Sequence, residues 1–81
     1  MIGLLIHLED KKAMPEELIR RAIKHYTDKF NENPTHCQVS TRQTQFDSLF
    51  KDAATFEVDG VTVERRKSVL FNHYFVCVKT E

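Results

Sequence analysis

The stretch L-F-N-H-Y-F-V-C-V-K, residues 70–79, decides which side of this fold is buried. Successive side chains of a β-strand point to opposite faces of the sheet, so a strand over residues 69–78 has two distinct faces. One face carries Val69, Phe71, His73, Phe75 and Cys77, and the other carries Leu70, Asn72, Tyr74, Val76 and Val78. Both faces are substantially apolar, which is typical of a central strand in a sheet covered on both sides.

The helical segments of this chain are too few to cover both faces of such a sheet. If Tyr74, Val76 and Val78 face the helices, the open face gathers Leu5, His7, His36, Phe71, His73 and Phe75. That surface would be an aromatic patch with histidines, suited to dimerisation or ligand contact. In the opposite arrangement Asn72 and Tyr74 lie outside and the patch is smaller. We favour this second arrangement, because it buries more aromatic area.

The N-terminal half predicts a strand, a helix and a second strand. Apolar residues at every second position predict a strand over residues 2–8. Pro15, followed by Glu16 and Glu17, marks the start of a helix, because proline suits the first helical position and the helix dipole favours acids there. Apolar residues then recur at helical spacing as far as Phe30, and Pro34 ends the helix. Residues 35–39 predict a short strand.

The C-terminal half predicts a short helix followed by three strands. Ser40 and Gln43 match a capping box, and an apolar stripe follows over residues 46–53. Asp59-Gly60 lies between two alternating apolar segments, residues 56–58 and 61–63, and indicates a β-hairpin. The order β-α-β-α-β-β-β predicts a single α+β domain over residues 1–81. Its mostly antiparallel sheet has about five strands, with two helices packed on one face.

Composition argues against several classes of function. The 81 residues include 12 basic and 12 acidic side chains, so the formal net charge is zero, whereas a dedicated nucleic-acid binder normally has a basic excess. The absence of net charge also removes repulsion as a guard against self-association. No apolar run approaches the roughly 20 residues of a membrane helix, and the N-terminus lacks the basic region of a signal peptide. Met14 would also suit a translation start, but the alternation of residues 2–8 favours Met1. We expect a cytoplasmic protein with free thiols and no membrane contact.

Two histidines and two cysteines raise the question of a metal site. His36, Cys37, His73 and Cys77 are all residue types that bind zinc. Adjacent strand residues point to opposite faces, which separates His36 from Cys37, and four strand residues separate His73 from Cys77 by about 13 Å. We therefore expect no metal and no other cofactor, and a metal-binding or enzymatic site at these four residues is the second alternative to a binding function. No pattern of nucleophile, oxyanion loop or phosphate-binding loop is present either, so no catalytic residue is predicted and binding is a better expectation than catalysis.

Basic residues form two groups that suggest an alternative function. Arg20, Arg21 and Lys24 lie on one flank of the predicted helix, and Arg65, Arg66 and Lys67 form the bend before the last strand. Small α+β domains can bind RNA through an exposed sheet with aromatic side chains. The glycine-containing signature of such RNA-binding strands is absent here. The alternative is therefore weak nucleic-acid binding rather than specific recognition.

Several short motifs resemble those of a known group of proteins. They are N-x-x-P-T after the helix, C-x-V, V-D-G-V-x-V and L-F-N-H-Y-F-V, spread over residues 16–78. In these motifs the chain is similar to a group of small uncharacterised bacterial α+β proteins, some of which are encoded near phage-like or mobile-element genes. The resemblance implies a bacterial, single-domain protein and carries over no catalytic residue.

These observations predict a binding module that self-associates, or attaches to a protein partner, through the open sheet face. The interface candidates are Leu5, His7, His36, Phe71, His73, Tyr74 and Phe75. Which of Tyr74 or Phe71 and Phe75 takes part depends on the register of the last strand.

Overall fold

The computed structural model describes residues 2–79. Its elements are β1 (Ile2–His7), α1 (Pro15–Phe30), β2 (His36–Ser40), a 3-10 turn (Thr44–Phe46), α2 (Asp47–Phe50), β3 (Thr55–Val58), β4 (Val61–Arg66) and β5 (His73–Val78). The strands form one five-stranded sheet in the order β1-β5-β2-β4-β3. Only the β2–β4 pair is parallel among the described pairs, so the predicted mostly antiparallel α+β fold is confirmed. No helix in this part of the chain is long and apolar enough to cross a membrane.

The sequence signals for α1 and for the hairpin have their expected structural counterparts. Pro15 occupies the start of α1, and Asn31 ends it in the left-handed conformation, with its N–H donating to the Thr27 carbonyl. Asp59 and Gly60 both have positive φ, 52° and 80°, as the type I′ two-residue hairpin turn requires. Aspartate tolerates this conformation and glycine has no Cβ to oppose it, so this dipeptide sets the pairing of β3 with β4.

One face of the sheet packs into the hydrophobic core. The buried side chains of α1 form one cluster with Phe46, Phe50 and alternate residues of all five strands. The strand contributions to this cluster are Ile6, Cys37, Val39, Val58, Val61, Val63, Tyr74 and Val76. Phe46 meets the Tyr74 ring edge-on at 6.1 Å, and Phe50 meets Phe56 edge-on at 4.6 Å. We call this the covered face.

The favoured orientation of the last strand was wrong. Tyr74 and Val76 are fully buried in the covered face, whereas His73 and Phe75 lie on the opposite face. The physical reason is a hydrogen bond that residue periodicity does not reveal. Gln43, itself fully buried, donates from Nε2 to the Tyr74 hydroxyl over 3.2 Å, so the phenol is satisfied inside the core.

The last strand is also shorter than the predicted residues 69–78. It begins at His73, because residues 70–72 form a turn in which Asn72 adopts a left-handed φ of 62°. The His73 N–H closes this turn on the Leu70 carbonyl, and the Gln43 Oε1 accepts a hydrogen bond from the Asn72 N–H over 3.1 Å. Leu70 and Phe71 are therefore exposed turn residues.

The second helix is a single α-helical turn, not a stripe running to residue 53. Lys51 and Asp52 both have positive φ, which ends α2 after Phe50. The capping box does not form either, since the Gln43 side chain points to Tyr74 and Asn72. Ser40 Oγ instead accepts a hydrogen bond from the Arg42 N–H.

Candidate functional site: the open sheet face

The face opposite the covered face carries the other set of alternate strand residues, and we call it the open face. Cross-strand register arranges its side chains in rows that run across the sheet. From β1 towards β3, the rows are Gly3, Cys77, His36, Thr62 and Glu57; then Leu5, Phe75, Gln38, Glu64 and Thr55; and, at the end of β1, His7 beside His73. The side chains of the open face are apolar at β1 and charged at β4.

The apolar part of the open face is built on a glycine. A Cβ at Gly3 would clash with Cζ and Cε1 of Phe75, so the Phe75 ring lies directly over the Gly3 backbone. An aromatic ring covering a cross-strand glycine is a recognised way to stabilise a sheet edge. Leu5, the register partner of Phe75, remains 57% exposed beside this ring. The result is an apolar surface at the β1 edge.

Two histidines lie side by side at the end of this surface. His7 and His73 are directly opposite each other on β1 and β5, with ring centroids 4.9 Å apart and an angle of 38° between the rings. His73 Nδ1 is 2.9 Å from the Phe71 carbonyl oxygen, so this nitrogen carries the proton and donates it. His7 Nε2 lies 4.0 Å from a carboxylate oxygen of Glu9.

The cysteines are not available for chemistry at this surface. Cys77 and His36 are cross-strand neighbours on the open face, whereas Cys37 lies in the covered face, as alternation predicted. Both thiols are free and fully buried, and burial raises the pKa of each. His36 is engaged through Nδ1 with the Thr35 hydroxyl at 2.7 Å. Within residues 2–79, no three His, Cys, Asp or Glu side chains are grouped so as to hold a metal ion, and His36, Cys37, His73 and Cys77 do not converge.

The β4 half of the open face is held by a charged network around Glu64. Its carboxylate accepts hydrogen bonds from the Lys79 ammonium and, at 3.0 Å, from Gln38 Nε2. Arg66 lies 3.5 Å away. Desolvation acts to raise the pKa of Glu64, but these donors outweigh it and the pKa lies below its usual value. This half is therefore polar and internally satisfied, unlike the β1 half.

The structure separates the predicted interface residues into three groups. Leu5, His7, His73 and Phe75 lie together at the β1 edge of the open face, and His36 lies one strand further in. Phe71 is 53% exposed but belongs to the turn before β5. Tyr74 is fully buried in the covered face and cannot contact a partner, because its ring packs on Phe46.

Most of the predicted nucleic-acid residues are engaged with acidic side chains. Arg20 contacts Glu16 and Asp59, and Arg21 contacts Glu17 and Asp10. Further pairs join Lys24 to Asp28, Arg65 to Asp47 and Arg66 to Glu64. A phosphate would have to compete with these carboxylates at each position. Lys67 lies in the turn after β4 and is exposed.

A cleft of 540 Å³ lies between the start of α1 and α2, away from the open face. Its lining residues are Met14, Pro15, Glu16, Glu17, Arg20, Ser48 and Leu49. Both carboxylates lining it form ion pairs within α1, with Arg20 and Arg21. The lining includes neither histidine nor cysteine, so it does not contain the usual pairing of a nucleophile with a base.

Sequence reasoning missed the closeness of His7 to His73. Alternation left open which face of the last strand carries His73, the favoured choice placed it inward, and no local pattern showed that β1 lies beside β5. The register that joins the two histidines is set by pairing between the first and last strands, which no local pattern encodes.

No known protein family, curated protein or solved structure matches this chain. The resemblance to small bacterial proteins consequently stays a prediction, and the chemistry of the open face is the main guide to function.

Proposed function

We propose that this chain is a binding module that self-associates through β1, at the apolar edge of its open face. The observation that carries the proposal is the position of Leu5: the most exposed apolar side chain of the open face lies on the edge strand β1, whose residues 2–7 include no lysine, proline or acidic side chain. A second copy of the chain is the occupant that fits this edge best.

The edge itself supports strand addition. The Leu8 N–H donates to the Asn72 carbonyl over 3.0 Å, and antiparallel ladders alternate, so Leu8, Ile6 and Leu4 direct their backbone groups towards β5. Gly3, Leu5 and His7 accordingly direct theirs outwards. β1 contains no lysine, proline or acidic residue, whereas edge strands usually carry such residues to prevent pairing.

The opposite edge of the sheet, formed by β3, is shorter and charged. β3 has only four residues, Thr55–Val58, and Glu57 places a carboxylate on its open face. A short, charged edge resists the addition of another strand. This asymmetry between the two edges favours β1 as the edge that pairs. Because the net charge of the chain is zero, there is little electrostatic repulsion between two copies.

A second copy fits β1 because an antiparallel strand pair is self-complementary about a two-fold axis. Leu5 is the middle one of the three residues whose backbone groups point outward from the sheet. A two-fold axis that passes beside Leu5 therefore pairs it with Leu5 of the second copy. Burying the exposed half of a leucine contributes about 1–1.5 kcal/mol per copy. With the new backbone hydrogen bonds, this predicts a weak, concentration-dependent dimer rather than an obligate one.

The test is the molar mass of the full chain by sedimentation velocity, over a concentration range from micromolar to millimolar. Wild type should approach the dimer mass as concentration rises. Leu5→Lys removes about 2–3 kcal/mol of apolar burial across two copies and adds like charges, so it should weaken association at least tenfold. Leu70→Lys removes an exposed leucine from the turn instead, and it should associate like wild type. A clean monomer at every concentration would remove the proposal.

Nucleic-acid binding remains the second prediction from the sequence, but no specific observation favours it over self-association. A reducing cytoplasm fits the proposed module, since Cys37 and Cys77 are both free and buried. A bacterial origin rests on the sequence resemblance alone.

A further inference from the structure

His7 and His73 form a close cross-strand pair of imidazole rings at the end of the open face. His7 and His73 follow the ladder position at which Leu8 is hydrogen-bonded to Asn72, so they form a non-hydrogen-bonded cross-strand pair. At such positions the two Cα atoms are about 4.5 Å apart and the side chains approach most closely. The ring centroids are 4.9 Å apart; His7 is exposed and His73 is partly buried.

The hydrogen bond of His73 prepares one ligand atom. Because the Phe71 carbonyl accepts the proton of Nδ1, the neutral ring has its lone pair on Nε2. Metal-binding histidines usually donate their other ring N–H to a carbonyl or carboxylate, which fixes the tautomer and the orientation of the ring. The Phe71 carbonyl does this for His73 before any ion is bound.

The second ligand and the surrounding charge come from β1 and the residues after it. The His7 side chain is 55% exposed, so its ring can rotate to bring a nitrogen towards His73. Two nitrogens bound at about 2.0–2.1 Å in tetrahedral geometry are roughly 3.3 Å apart, which rings this close can reach by small rotations. Glu9, 4.0 Å from His7 Nε2, supplies a nearby carboxylate that favours a cation.

We propose that His7 and His73 chelate a divalent transition-metal ion that prefers imidazole nitrogen, such as Zn²⁺ or Ni²⁺. Water molecules would complete the coordination, since these two histidines supply only half of a tetrahedral set, and the Glu9 carboxylate would act through its charge. The chelate is separate from self-association, because it uses side chains of one copy only. It also differs from the zinc site considered from sequence, since it replaces His36, Cys37 and Cys77 with His7.

The test uses Zn²⁺ and the full chain, measured by isothermal titration calorimetry. We expect one ion per chain, and His7→Gln and His73→Gln should each weaken binding at least tenfold, because a single imidazole cannot chelate. His25→Gln, at an exposed position on α1, and His36→Gln, on the same face but bonded to Thr35, are the matched controls and should bind like wild type. Glu9→Gln should weaken binding less than either histidine variant.

A second measurement identifies the ligand atoms. In NMR spectra of the histidine side chains, His73 should show the Nδ1–H tautomer without metal, and Zn²⁺ should shift the Nε2 signal of His73 and one ring-nitrogen signal of His7 but neither nitrogen signal of His25. Repeating the titration with Leu5→Lys separates this proposal from self-association, because that variant should still bind one ion. Unchanged affinity in His73→Gln, an equal loss in His25→Gln, or no binding up to millimolar Zn²⁺ would each overturn the chelate.

Discussion

Replacing Gln43 with leucine tests the contacts that fix the register of β5. The Gln43 side chain is fully buried, donates to the Tyr74 hydroxyl over 3.2 Å and accepts from the Asn72 N–H over 3.1 Å. Leucine has a similar volume and keeps the packing, but it leaves both partners without their hydrogen bonds. Each buried polar group left unsatisfied costs about 1–3 kcal/mol. We therefore expect the free energy of unfolding to fall by about 2–4 kcal/mol.

The assay is urea unfolding followed by circular dichroism, with thermal unfolding as a second readout. For a domain of this size, each kcal/mol shifts Tm by about 4–8 °C, so the loss should amount to roughly 10–30 °C. Tyr74→Phe removes only the hydroxyl and keeps the bond to Asn72, so it should cost about half as much. Gln45→Leu, at an exposed position in the 3-10 turn that follows Gln43, is the control and should stay within about 0.5 kcal/mol of wild type. A Gln43→Leu variant as stable as wild type would refute the claim that this glutamine orients β5.

Two further predictions concern buried ionisable groups. Burial raises the pKa of Tyr74 to about 12, although the hydrogen bond from Gln43 opposes the shift. The Tyr74 hydroxyl therefore loses its proton at about pH 10 in the unfolded chain and only at higher pH in the folded protein. The free energy of unfolding should decline as pH rises from about 10 to about 12. A Tyr74→Phe variant should show a shallower decline, and identical slopes would contradict the assignment. Because burial also raises the pKa of the Cys37 and Cys77 thiols, a thiol-reactive dye should label neither in the folded protein at neutral pH and both in urea. Rapid labelling of Cys77 in the folded protein would contradict the buried position of its thiol.

Local signals in the sequence were enough for most of the fold. Pro15 and the acids after it predict the start of α1, and Asp59-Gly60 predicts the hairpin, because each acts through backbone geometry within a few residues. The register of β5 was not predictable in this way. Its two faces are similarly apolar, and the choice depends on Gln43, which contacts Tyr74 across 31 positions of the chain.

The candidate site was predictable only in part. Period-two alternation correctly separated His36 from Cys37 and placed Leu5 with His7 on one face of β1. The contact between His7 and His73 depends on β1 pairing with β5, which is a property of strand order rather than of local pattern. Tyr74 entered the interface candidates because its hydrogen-bond partner could not be foreseen from sequence.

The central claim is that β1 pairs with β1 of a second copy, and amide hydrogen exchange tests it most directly. The N–H groups of Leu5 and His7 point away from β5, so in a monomer they exchange with solvent without protection from the ladder. We predict that the Leu5 amide becomes protected as protein concentration rises through the range in which the molar mass doubles. The Glu57 amide at the opposite edge should keep a constant exchange rate. Equal, rapid exchange of the Leu5 and Glu57 amides in a sample with doubled molar mass would contradict the account, because the copies would then meet elsewhere.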